Sequence, residues 1–400
     1  MGRFAAADGL RFSVHIPAGR IHNRGMTEHA KVPEVAVERD FTAGLARNGG
    51  RSFVGSTGDK ELDERIVTLA ASVPGVREPR LLAEMMITAA RTARGSVDAA
   101  DFKLFNRAFK ELRIANEVFL PWRNVRKVSV FGSARTLSDA PEYRAAVEFA
   151  AKMRDAGFMT ITGAGPGIMA AGNEGAGRAD SFGLNIVLPF EAVANEFIAG
   201  DEKLVEFNYF FTRKLSFVKE SDASVGFPGG FGTMDEVFEA LTLIQTGKSQ
   251  IRPVVLVDAK GGSYWKFWEQ FIREHLLSNS LISESDLSLF KVTDDIDGAV
   301  REITTFFSVF HSYRYVGDKL VMRLLKPLAA GDIARLGVEF ADMLKAGGFE
   351  QRGALREEGD EPELASLPRL VFRHRRREFG RLRQLIDAVN RAGSDQGNIS

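Results

Sequence analysis

Between Val125 and about residue 310, short apolar runs alternate with longer stretches whose apolar residues recur every three to four positions. The runs at 127–131, 158–162, 183–188, 205–207, 223–227 and 253–257 read as buried strands. The stretches at 141–155, 168–177, 211–220, 233–246, 265–277 and 294–308 read as helices. Apolar strands alternating with amphipathic helices predict an α/β fold, a Rossmann-like parallel sheet with helices on both faces. Upstream, three helical stripes run through Leu62, Ile66 and Leu69, then Leu81, Leu82, Met85 and Met86, then Phe102, Phe105 and Phe109. Downstream the pattern restarts, with strands at 319–325 and 370–374, helices at 333–346 and 378–391, and a charged loop at 357–363. The expected organisation is a flexible arm (1–58), a helical N-terminal extension (59–123), the α/β domain (124–310) and a small α/β C-terminal appendage (311–400). Met26 offers a second possible start within the arm.

In a parallel sheet, ligands bind at the carboxyl ends of the strands. The glycine clusters fall there: Gly132-Ser133 after the first strand, Gly163-Ala164-Gly165-Pro166-Gly167 after the second, and Pro228-Gly229-Gly230-Phe231-Gly232-Thr233-Met234-Asp235-Glu236 after the fifth. The last of these feeds a helix. Backbone N–H groups and the positive end of the helix dipole make such a turn an anion site. Asp235 and Glu236 would lie in the first helical turn, beside the anion. The competing reading is a capping box, in which Thr233 and Glu236 satisfy the helix's own free N–H groups.

Composition narrows the class. The 400 residues are 44% hydrophobic and 26% charged, enough for two or three domains. Lys+Arg and Asp+Glu both number 53, so no global charge calls for a polyanion. There is no Cys, which excludes disulfides, thiolate metal sites and a Cys nucleophile, and fits a cytoplasmic protein. The six His lack the pair spacing of a zinc site. No apolar stretch reaches the length of a membrane span, and the first residues carry no signal-peptide core.

The second glycine cluster does not match the dinucleotide fingerprint, no acidic residue ends the following strand, and no complete triphosphate loop G-x-x-x-x-G-K-[ST] occurs. These glycines serve either close helix–strand packing or a nucleotide contact. In Phe210-Phe211-Thr212-Arg213-Lys214, two cations open a helix where the dipole disfavours them. They read either as a solvated face or as a guanidinium aimed at the crevice, suited to phosphate or carboxylate. The basic run Arg373-His374-Arg375-Arg376-Arg377 lacks interleaved aromatics, and reads as a solvated or dimer-facing segment rather than a nucleic-acid surface.

Taken together, PGGFGTMDE (228–236), FFTRK (210–214), VFGSAR (130–135), TGAGPGIM (162–169) and ALTLIQTGK (240–248) resemble the LOG (Lonely Guy) family, long misannotated as lysine decarboxylases. The resemblance covers about residues 100–310. Two departures are Phe210 where many members carry Met, and Ala164 where a third consecutive Gly is common. The resemblance implies a phosphoribohydrolase that cuts the N-glycosidic bond of a nucleoside 5′-monophosphate, AMP or a cytokinin nucleotide, without a cofactor or metal. It implies Glu236 and Arg213 as catalytic residues. Gly132, Ser133, Gly163, Gly165, Gly167, Lys214, Gly229, Gly230, Gly232 and Thr233 would bind substrate. It also implies a homodimer or larger even oligomer, with neither nucleic acid nor membrane as partner. The alternative is a nucleotide or molybdenum-cofactor carrier of the same fold without hydrolase activity.

Overall fold

The computed structural model describes residues 55–95, 97–188, 193–359 and 361–395. Most of the arm expected over residues 1–58 therefore lies outside the described residues. The chain divides into two compact units at Val97/Asp98.

In the first unit, α1 (Lys60–Ser72) and α2 (Pro79–Arg94) form a helical pair. Asp59 caps α1 by accepting from the Leu62 N–H at 3.1 Å, and Pro79 opens α2, where no N–H is needed. Ile66 and Ala70 pack on Ala83 and Ile87.

The second unit opens with α3 (Ala99–Phe119), capped by Asp98. There follow β1 (Lys127–Phe131), α4 (Pro141–Asp155), β2 (Met159–Thr162), α5 (Ile168–Ala176), β3 (Ser181–Ile186), β4 (Leu204–Phe207) and α6 (Phe210–Glu220). Next come β5 (Ala223–Gly226), α7 (Phe231–Gln245), β6 (Val254–Val257), α8 (Tyr264–Phe271), β7 (Lys291–Thr293) and α9 (Ile296–Phe306). The seven strands form one parallel sheet in the order β4-β3-β2-β1-β5-β6-β7. On one face, Val128, Val130, Val225 and Val255 pack with Phe149 of α4, Ile168 of α5 and Ile303 of α9. On the other face, Ile161, Phe182, Leu184 and Phe207 meet Phe119 of α3 and Phe217 of α6. Val237 and Ile244 of α7 and Trp265 of α8 cover Val254 and Leu256. Burial on both faces explains why the strands read as continuous apolar runs.

A second sheet follows, built from β8 (Phe310–Val316), β9 (Lys319–Leu324), β10 (Leu344–Arg352) and β11 (Arg369–His374), with α10 (Ala330–Glu339) and α11 (Phe379–Asp395). It is antiparallel, in the order β10-β11-β9-β8. The helix expected at 333–346 ends at Glu339, and Leu344 starts a strand instead. The chain leaves helical geometry at Phe340 (φ −114°, ψ 23°), and a 3₁₀ turn at Ala341–Met343 leads into the strand. Beneath the sheet, Glu358 binds Arg323 and Arg369, all three at 3% exposure or less, and Arg323 also reaches Glu361.

Candidate active site

Strand order reverses between β1 and β5. From β1 the chain first adds β2, β3 and β4 on one side, then returns to build β5, β6 and β7 on the other. Such a reversal opens a crevice where adjacent loops leave in opposite directions. The loops that meet there are the predicted ones. The Ser133 N–H donates to the Pro228 carbonyl at 3.1 Å, and the Ile168 N–H donates to the Ser133 carbonyl at 3.1 Å. A Cβ on Gly132 would lie 2.6 Å from Ile168, and one on Gly167 would lie 2.3 Å from the Ser133 carbonyl oxygen. Both glycines are thus required for loop contact, and Gly167 also adopts φ 65°.

The 228–236 turn does not form the capping box that competed with the anion-site reading. Helix α7 starts at Phe231 with Gly230 as N-cap, and no side chain caps it. Thr233 and Glu236 therefore do not serve as a cap pair, and Asp235 and Glu236 fall in the second turn rather than the first. The glycines allow the helix to begin three residues earlier than a Thr233 cap would permit. Open space lies where a Cβ of Gly230 or Gly232 would be, while a Cβ on Gly229 would meet Thr233 Oγ1 at 2.1 Å and the Ser133 nitrogen at 3.0 Å. An uncapped helix N-terminus facing open space leaves N–H donors for an anion.

Arg213 leaves the fourth position of α6 and crosses to the neighbouring strands. Its Nε donates to the Leu184 carbonyl at 2.7 Å, and its guanidinium lies against Gly163. Burial lowers its pKa, opposed by the charge of Glu236. Burial raises the pKa of Glu236, while Lys214 and Arg213 pull it down. Lys214 lies 3.5 Å from Glu236, 2.8 Å from Asp235 and 2.8 Å from Glu239. Burial lowers its pKa, but the hydrogen bonds to Asp235 and Glu239 outweigh that and hold it above the usual value. The lysine expected to touch substrate is thus occupied by three carboxylates of α7.

Sequence reading missed what holds the second glycine loop. Ala164 sits at φ 60°, a conformation rare outside glycine. Thr162 Oγ1 accepts from its N–H at 3.0 Å, and the Asn195 N–H donates to its carbonyl at 2.8 Å. The Asn195 side chain also donates to the Gly165 carbonyl and to Asn173 Oδ1, both at 3.0 Å. Asn195 lies 30 positions from Gly165, and no local pattern marks it. Beside this loop a cavity of about 450 Å³ is lined by Arg135, Tyr143, Gly167, Asn195 and Phe197.

Residues 167–303 match the family described as possible lysine decarboxylase. That segment contains the arginine, lysine and glutamate just placed together, and the curated relatives of the same chain carry the LOG name. The chain carries a LOG-type family segment at residues 167–303. It is 29% identical over 160 residues to the probable cytokinin riboside 5′-monophosphate phosphoribohydrolase LOGL5 of Oryza sativa subsp. japonica, covering 38% of this chain and 63% of that protein. It is 31% identical over 97 residues to LOGL9 of the same plant, covering 24% and 41%. The chain therefore spans less than two thirds of these relatives. Among solved structures, the molybdenum cofactor carrier protein of Chlamydomonas reinhardtii is 22% identical at a TM-score of 0.32, covering 44% of this chain and 94% of that one. DNA processing protein A of Streptococcus pneumoniae is 13% identical at a TM-score of 0.34, covering 61% and 90%.

Proposed function

We propose that this protein hydrolyses the N-glycosidic bond of a nucleoside 5′-monophosphate, giving free base and ribose 5-phosphate. The observation that carries the reading is the pairing of an uncapped, open α7 N-terminus with Glu236 on the next turn of the same helix, under the charge of Arg213. The 5′-phosphate would accept from N–H groups of Gly230 to Thr233. C1′ would then lie within reach of Glu236. As the C1′–N bond breaks, its electron pair leaves with the base, and positive charge grows on the ribose. An ionised carboxylate beside C1′ stabilises that charge. Glu236 also takes a proton from the attacking water, whose oxygen bonds to C1′, and the departing base takes a proton from solvent. Arg213, fixed by the Leu184 carbonyl, binds ribose or phosphate oxygens and favours the ionised form of Glu236. Lys214 steadies the α7 carboxylates.

The test is release of ribose 5-phosphate from AMP, from other nucleoside monophosphates and from adenosine. AMP or a related nucleotide should be cleaved far faster than its nucleoside, because several charge-assisted hydrogen bonds to phosphate, each worth about 1.5–3 kcal/mol, are lost with it. Tight binding of nucleotides with no product released would favour the carrier reading instead. Equal turnover of AMP and adenosine would overturn the role given to the α7 N-terminus.

The protein would act as a homodimer or an even assembly. Phe231 is 97% exposed, and Phe210, Phe211 and Leu215 of α6 and Phe238 of α7 are exposed as well. Lys214 ion-pairs α6 to α7, and a second copy would cover exposed apolar side chains of this kind.

A further inference from the structure

The basic run at 373–377 takes no part in the site at the ends of β1 and β5. It leaves β11 and forms the turn into α11. A cavity of about 720 Å³ lies beside it, lined by Lys345, His374, Arg375, Arg376, Arg377 and Glu378, and bounded by Asp318 and Asp342. That volume is typical of a small-molecule site.

Two of the carboxylates at its wall are already paired: Asp318 with Arg373 at 3.3 Å, and Asp342 with Arg381 at 3.0 Å. Lys345, Arg375, Arg376 and Arg377 make no ion pair among the described residues. Arg375 spends its Nε on the Leu344 carbonyl, at 3.0 Å. Arg376 donates to the Gly317 carbonyl at 2.6 Å and lies 4.4 Å from the centre of the Tyr315 ring. Each guanidinium has five N–H donors, so both retain several.

His374 adds a neutral donor at the wall. It is 2% exposed, and its Nδ1 lies 2.7 Å from the Tyr315 hydroxyl. Burial pushes its pKa down to about 4, with Arg376 adding to the effect, so the ring is uncharged at neutral pH. With Nδ1 accepting from Tyr315, the proton sits on Nε2. That nitrogen is buried, with no hydrogen-bond partner among the described residues. Arg376 and Glu378 hold φ values of 57° and 54°, a left-handed conformation that residues with a Cβ rarely adopt.

We propose that this cavity is a second ligand site, for a small molecule carrying phosphate groups. Arg375, Arg376, Arg377 and Lys345 supply the charge, and the planar guanidinium forks match phosphate oxygens. Glu378 is the one opposing charge without an ion pair among the described residues, and it sets a limit on affinity. The proposal is independent of the hydrolase reading, because none of these residues belongs to the α7 site.

The experiment is phenylglyoxal labelling of the full-length protein, followed by peptide mapping, with inorganic pyrophosphate as probe. Pyrophosphate should slow modification of Arg376 and Arg377 severalfold and in a saturable way, while exposed Arg65 in the first unit keeps its rate. Lys345→Glu should weaken that protection about tenfold or more, the loss expected for one charge-assisted hydrogen bond, with an unchanged melting temperature. Glu378→Gln should strengthen it. Failure of pyrophosphate to protect the turn, protection by citrate equal to that by pyrophosphate, or indifference to both substitutions would overturn the proposal.

Discussion

The Cβ that Gly163 lacks would lie 2.2 Å from a terminal guanidinium nitrogen of Arg213. The same Cβ would lie 2.6 Å from Met169 Sδ. Glycine at the end of β2 is thus the seat of the arginine, and the two residues from distant motifs form one feature of the site.

Gly163→Ala should leave the protein folded and strip it of activity. The atoms in the way belong to ends of flexible side chains, and Gly163 does not use a left-handed conformation. The guanidinium will move, losing its bond to the Leu184 carbonyl. A misplacement of about 1 Å at a positioning group costs on the order of 10²-fold in rate. Ribose 5-phosphate release and thermal melting on the same sample check this. A variant as active as the wild type would show that Arg213 need not sit against β2.

Lys214→Met should shift the acid limb of the pH–rate profile to higher pH. Burial already raises the pKa of Glu236, and Lys214 is the largest influence pulling it down. Without the lysine the carboxylate ionises later, so kcat/KM falls first on the acidic side and recovers toward alkaline pH. If Lys214 instead binds substrate directly, KM will rise at all pH values with the limb unmoved. Profiles of both enzymes over a wide pH range separate the two outcomes.

Six of the seven core strands were legible as apolar runs, as at the buried Val254–Val257, whereas β7 at the sheet edge is exposed or half-buried and gives no such run. The second sheet was harder to read. Strand β8 carries intermediate burial at four of its last five positions, and β10 is mostly exposed, so neither gives a clean apolar run. The turn joining β8 to β9, Gly317-Asp318 with Gly317 at φ 61°, was nonetheless a usable hairpin signal. At the site, the motifs named the charged residues but not their supports. Thr162, Asn173 and Asn195 form a side-chain network across three separate segments, and only the folded chain brings them together. The capping box failed as a guide because Gly230 and Gly232 let α7 start before Thr233.

Glu358→Gln should destabilise the C-terminal sheet by about 3–5 kcal/mol, the usual cost of breaking a buried ion pair and leaving its partner charged. Glu358 is buried against Arg323 and Arg369. Burial would raise its pKa, but hydrogen bonds from the Leu355 N–H and the two arginines outweigh this and hold it below the usual range. The native state therefore binds a proton less readily than the unfolded chain. The stabilisation is present above the ordinary glutamate pKa and is lost as pH falls through the lowered one. Denaturant melts at neutral and acidic pH should show the gap between wild type and variant closing at low pH. A gap that stays constant with pH would count against this account.

Glu236→Gln should nearly abolish hydrolysis while preserving the fold and nucleotide binding. Glutamine keeps the size and one acceptor oxygen, but it removes the negative charge beside C1′ and the ability to take a proton from water. Loss of such a group costs on the order of 10² to 10⁴ in rate. Glu236 makes no cap to α7, so the substitution removes no hydrogen bond on which the helix start depends. Its raised pKa also fixes the sign of the stability change. A carboxyl favoured in its protonated form by the fold is most compatible with folding below the ordinary glutamate pKa, and that advantage is lost as pH rises through the raised value. At neutral pH the neutral glutamine relieves the strain of a buried charge, offset by the lost attraction to Lys214. The variant should thus melt at or slightly above the wild-type temperature and still bind AMP in a calorimeter. Only ribose 5-phosphate release should collapse. Retained turnover, or a variant that unfolds, would make Glu236 a structural residue and would leave the α7 turn without its catalytic base.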